Sequence, residues 1–143
     1  ARLKKHKKAT ENFSLAIENI PLFSLPYYNR GFIYLIEGKA REAISDFKEA
    51  SNLDSDKSAL QGIIEQENEA IQLRPMETFS YIRRGLAKIL IGQDVDGQAD
   101  LDIVKKMNSL DGGISLPDLL LAEMKGLGAS PQFADNEPLE SSA

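Results

Sequence analysis

The stretch "LPYYNRGFIYLIEGKAREAISDFKEASNLD", Leu25 to Asp54, restricts the fold more than any other part of the chain. Tyr27, Gly31 and Tyr34 recur at spacings of four and three residues, and so do Ala43, Phe47 and Ala50. Each set marks one face of an amphipathic helix. The pattern breaks at Gly38, so the two helices join across Glu37–Lys39. Gly31 lies inside the first helix, where glycine costs about 1 kcal/mol relative to alanine. That cost is accepted where a side chain would obstruct packing. Gly31 and Ala43 are therefore predicted to face each other at a close approach of the two helices.

With Ser24 as position one, this stretch resembles the tetratricopeptide repeat. That family has a helix–turn–helix of about 34 residues, with small residues at the close approach and large ones beside them. Tyr27, Gly31, Tyr34, Ala43, Phe47 and Ala50 all fall on pattern positions, and Ser55 stands where proline is common. One repeat length earlier, Ala9, Phe13, Ala16 and Pro21 match the second helix of a preceding unit. "ARLKKHKK" then reads as the end of that unit's first helix plus its turn. The chain would thus begin inside a repeat, as a fragment or processed chain with an upstream signal removed.

Downstream, "TFSYIRRGLAKILIGQDVDGQADLDIVKKMNSLD" starts another unit at Thr78. Tyr81 and Gly85 match. Ala99 matches after a longer turn at Asp94–Gly97, Lys88 replaces an aromatic, and Val104 and Met107 stand for phenylalanine and alanine. Only 20 residues separate Lys57 from Thr78, which is about 14 short of a repeat. Ala70 to Pro75 keep second-helix register. Either the first helix of that unit is deleted, leaving one helix from about Asp56 to Leu73 weakened at Gly62, or it is missing from the chain as written. The expected organisation is all-α: a helical-hairpin solenoid of tetratricopeptide type over 1–111, with units 1–23 (partial), 24–57 (best), 58–77 (truncated) and 78–111 (degenerate). "SLPDLLLAEMKGLG" reads as a capping helix over 112–127, with Leu116, Leu120, Met124 and Leu127 as its apolar stripe. The rival reading offers this helix to a partner. The polar tail, 128–143, is expected to be disordered.

Composition removes several functions. The formal net charge is −5, which disfavours general binding to nucleic acid or anionic lipid. The absence of cysteine removes disulfides, thiolate nucleophiles and cysteine-ligated zinc, and it suits a cytoplasmic location. No apolar run approaches the ~20 residues a membrane span needs. His6 is the lone histidine and sits in the basic run Lys4–Lys8. It reads as a solvated turn, or as a small basic patch for an acidic peptide or phosphate. Asp94, Asp96 and Gly97 are spaced as in a calcium loop, but that register puts Gly92 and Ile103 where carboxylates are required. No phosphate loop, nucleophile elbow or HExxH motif occurs. No catalytic residues, metal or cofactor are expected.

What the resemblance implies is a curved stack whose first helices line a concave face. Leu25, Tyr28, Asn29, Phe32 and Ile36 would line it in one unit, and Phe79, Ile82, Arg83, Leu86 and Leu90 in the other. Asn29 and Arg83 occupy positions from which some family members grip a terminal carboxylate. The lysines that complete such a clamp are replaced by Leu25, Tyr28, Phe79 and Ile82. The expectation is therefore a non-enzymatic protein-interaction module that holds an extended peptide or a partner helix, by apolar burial with Asn29 and Arg83 as polar handles. The alternative is a scaffold that self-associates into homo-oligomers through exposed repeat edges.

Overall fold

The computed structural model describes residues 2–19, 23–107 and 116–129. All regular structure among them is helical: α1 (Arg2–Asn19), α2 (Ser24–Ile36), α3 (Ala40–Leu53), α4 (Ser58–Leu73), α5 (Thr78–Leu90), α6 (Asp94–Met107) and α7 (Asp118–Ala129). Pro21 and the segment 130–143, which holds nearly all of the tail expected to be disordered, lie outside the described residues.

The hairpin α2–α3 forms as its sequence dictates. Pro26 lies in the first turn of α2, where its missing N–H is not needed. Gly38, at φ +81°, takes the left-handed conformation that stops the helix. The Lys39 N–H then donates to the Tyr34 carbonyl at 2.8 Å. The close approach is real, and its nearest atoms belong to the Phe47 ring. A Cβ on Gly31 would lie 2.4 Å from the Phe47 ring. Phe47 is fully buried, with its ring centroid 5.5 Å from that of Phe32. Gly31 thus makes room first of all for an aromatic ring.

The second hairpin repeats the first at an offset of 54 residues. Gly92, at φ +101°, stops α5, and the Gln93 N–H donates to the Lys88 carbonyl at 2.7 Å. The turn is therefore as short as the first one, not lengthened at Asp94–Gly97, which is already helical. The counterpart of Ala43 is Gly97, and Ala99 is exposed. Leu101 and Val104, both buried, take the places of Phe47 and Ala50. Here the approach is backbone to backbone, because a Cβ on Gly97 would lie 2.5 Å from the Gly85 carbonyl oxygen.

The same offset relates the preceding helices. The Arg30 guanidinium donates to both Asp46 oxygens, at 2.7 and 2.6 Å, and to the Ser14 hydroxyl of α1 at 2.9 Å. Arg84 donates to both Asp100 oxygens, at 2.8 and 2.7 Å, and to the Asn68 carbonyl of α4 at 3.0 Å. Every member of the second set lies 54 positions after its counterpart. The repeating unit among the described residues is thus three helices, α1–α2–α3 and then α4–α5–α6. The short spacing before Thr78 is spanned by the single helix α4. The structure also corrects the N-terminus. α1 runs unbroken through Lys4–Lys8, so His6 is helical and half-buried rather than in a turn.

The aspartate of the first clamp has a measurable signature. The Asp46 side chain is only 5% exposed. Burial raises its pKa above the ordinary value of 3.8, and the Arg30 hydrogen bond and charge reduce that rise without cancelling it. Between 3.8 and the raised midpoint the native state holds more of this proton than the unfolded chain. The group's contribution to stability is therefore full below 3.8 and is lost as pH rises through the folded midpoint. Carboxyl NMR titration of Asp46 should place its midpoint above 3.8, and a midpoint below that would contradict the order of these effects.

The two three-helix units share one apolar core. Tyr28, Phe32 and Phe47 meet Leu60, Ile63 and Ile64 of α4, and the cluster continues through Leu86, Ile89 and Leu101 to Leu120 and Met124 of α7. α7 packs against α3 and α5. Its end is held by Lys57, whose ammonium donates to the Leu127 and Gly128 carbonyls at 3.1 and 3.2 Å. A cation there complements the negative pole of the helix. Gly128 admits the close crossing, since a Cβ would lie 2.6 Å from the Ile89 carbonyl oxygen. The outer face of α6 keeps Val95 and Ile103 exposed.

Candidate functional site

The ten residues assigned to a concave groove do not form an open surface. Tyr28, Phe32, Leu86 and Leu90 are core residues, between 0% and 2% exposed. They are covered because α4 and α7 supply the apolar partners that these side chains need. Leu25, Asn29, Ile36 and Ile82 are partly buried, and Phe79 is exposed.

Asn29 and Arg83 do come together, but they bind each other. The Arg83 Nε and Nη2 donate to the Asn29 side-chain oxygen at 3.2 and 2.9 Å. Its Nη1 donates to Gln66 at 3.0 Å and to Glu67 at 2.5 Å. Arg83 and Glu67 are both buried. The guanidinium therefore ties α2, α4 and α5 together, with each of its nitrogens engaged by a neighbouring side chain.

The open space lies beside this junction. A cleft of about 850 Å³ runs between the start of α2, the α3–α4 turn and one face of α4. Phe23, Leu25 and Leu53 supply apolar wall, and Ser58, Gly62, Glu65, Gln66 and Glu69 present the α4 face. Those five α4 positions share one side of the helix because their spacings follow its turn. Of the groove residues read from the sequence, only Leu25 lines the cleft.

Its floor is fixed by Asp54. One carboxylate oxygen accepts the Ala59 N–H at 3.0 Å, and the other accepts the Leu60 N–H at 3.3 Å and the Tyr28 hydroxyl at 3.0 Å. This caps α4 from a buried position. Burial, then the Asp54 charge and hydrogen bond, push the Tyr28 hydroxyl far above its usual range, so it remains a donor. Asp56, Glu65 and Glu69 are exposed. The Ser58 N–H holds the Asp56 carboxyl below its ordinary pKa. Among the described residues no lysine, arginine or histidine lines the cleft.

Gly62 was the available sequence signal for this site. A glycine within an unbroken helix needs a reason, and here a Cβ would meet nothing within 4 Å. Gly62→Ala is accordingly expected to stabilise the fold by roughly 0.5–1 kcal/mol. Denaturant unfolding checks this, and a loss of stability would mean that α4 is not continuous at this point.

Among the described residues no group of three or more His, Cys, Asp or Glu side chains is arranged to hold a metal ion, and no helix is long and apolar enough to cross a membrane. No protein-family model, curated protein or solved structure matches this chain.

Proposed function

We propose that this protein is a non-enzymatic protein-interaction module of tetratricopeptide type, and that it holds an extended segment of a partner in the cleft between α2 and α4. The cleft carries this reading. It is roomy, partly apolar and lined by an α4 face whose Ser58, Gly62, Glu65, Gln66 and Glu69 are exposed among the described residues. The motif matches in Leu25–Asp54 and the small residues at both helix crossings support the family resemblance. The expected role of the polar handles changes accordingly: Asn29 and Arg83 bind each other, and contact with the partner falls to Phe23, Leu25 and the α4 face.

The test is selection from a displayed library of short random peptides, with the Gly62→Trp variant as counter-selection. A tryptophan at 62 would project into open space, so the fold should survive while the cleft is filled. Circular dichroism verifies the fold. Peptides retained by the natural chain and lost by the variant support the module. If every retained peptide ignores position 62, the cleft is not the working surface.

A second reading rests on the uncovered α6 face, where Val95 is 83% exposed and Ile103 37%. Self-association through this edge predicts a mass that grows with concentration in sedimentation and is restored to the monomer by Val95→Lys.

A further inference from the structure

Resting on the cleft as the binding surface, we infer that its occupant is a separate partner's extended segment in which basic and apolar side chains alternate. The two walls differ in chemistry. The α2 side and the α3 end offer Phe23, which is half exposed, together with Leu25 and Leu53. The α4 side offers Glu65 and Glu69, and the turn adds Asp56, all exposed. Among the described residues of the lining no cation neutralises them. Glu67, on the same helix, is taken up by Arg83 on the other side, and Asp54 is taken up by capping, so the negative field of the cleft comes from three solvated carboxylates.

Length and periodicity limit the occupant. The cleft follows α4 from Ser58 to Glu69, a rise of about 16 Å, which about five extended residues would span. Successive side chains of an extended segment point to opposite sides. Alternation therefore sends apolar groups to the α2 wall and basic groups to the carboxylates. An acidic segment would meet like charge at close range, which electrostatic complementarity disfavours.

Two synthetic peptides decide the point, one alternating lysine with leucine and the other glutamate with leucine, titrated by fluorescence anisotropy. The lysine peptide should bind the natural chain at least about tenfold more tightly than the glutamate peptide. The double variant Glu65→Lys, Glu69→Lys should reverse that order. Both positions are exposed, so the fold should be retained. Raising the salt from about 0.1 M to about 1 M shortens the screening length from ~10 to ~3 Å and should weaken the lysine peptide. Equal binding of both peptides, or lysine-peptide binding untouched by the reversal, overturns the inference. Library peptides that are neutral or acidic yet sensitive to Gly62→Trp would overturn it while leaving the interaction module standing. Absence of any Gly62-sensitive peptide removes both. Concentration-dependent dimers abolished by the charge reversal would overturn the separate partner and give the cleft to Lys7 and Lys8 on a second copy's α1.

Discussion

Gly31→Leu is expected to destabilise the protein by about 3 kcal/mol or more, at or beyond the usual 1–3 kcal/mol for overpacking. The first atom added would already stand 2.4 Å from the Phe47 ring, and Phe47 is fully buried beside Phe32. The ring cannot swing into solvent, so either the hairpin opens or the core around Phe32 rearranges. A double-mutant cycle isolates the contact. Phe47→Ala alone should cost about 3–5 kcal/mol through the cavity it leaves. Gly31→Leu should then be far less harmful in that background, because the new side chain enters the vacated space. A coupling energy well above 0.5 kcal/mol identifies neighbours that share one volume. Additive losses would mean that Gly31 is required for something other than room for Phe47.

Local structure was legible where one face of a helix is decided by its neighbour in sequence. Tyr27, Gly31, Tyr34, Ala43, Phe47 and Ala50 gave the first hairpin, and Gly38 its turn. The second hairpin was misread at its turn because Ala99 resembled the expected small residue more than Gly97 did. The backbone contact between Gly85 and Gly97 reveals the register. The 54-residue period was legible in principle, since Arg30 and Asp46 recur as Arg84 and Asp100. A ruler set to the commoner period passed over it.

The site was less legible, for a physical reason. Which apolar side chains stay exposed depends on helices far away in sequence. Phe32 and Leu86 have the composition of a binding groove, but the core that α4 and α7 complete encloses them. α7 settles between α3 and α5 rather than over α6, and nothing in its own stripe specifies that choice. Leu120 and Met124 would serve as well on any apolar face, whereas Gly128 and the clasp from Lys57 suit only this one.

Arg83→Glu separates the two possible roles of the residue most easily mistaken for a ligand handle. A ligand-facing arginine could be reversed with loss of binding and little loss of stability. Arg83 is instead only 9% exposed, and its charge is spent on Glu67, itself 7% exposed. Removing one member of a buried pair leaves the other uncompensated, at a cost of about 3–5 kcal/mol. Arg83→Ala should therefore destabilise by about that amount. Arg83→Glu should cost more, since it sets two carboxylates at one junction and strips Asn29 and Gln66 of their donor. The second-site change Glu67→Gln removes the stranded charge and should recover part of the loss in Arg83→Ala. It should do little for Phe47→Ala, whose defect is a cavity elsewhere in the core. Chemical denaturation of the variants gives the comparison. Were Arg83→Glu to unfold at the same denaturant concentration as the natural chain, the junction of α2, α4 and α5 would not be held by this guanidinium, and Arg83 would return to the list of residues free to meet a partner.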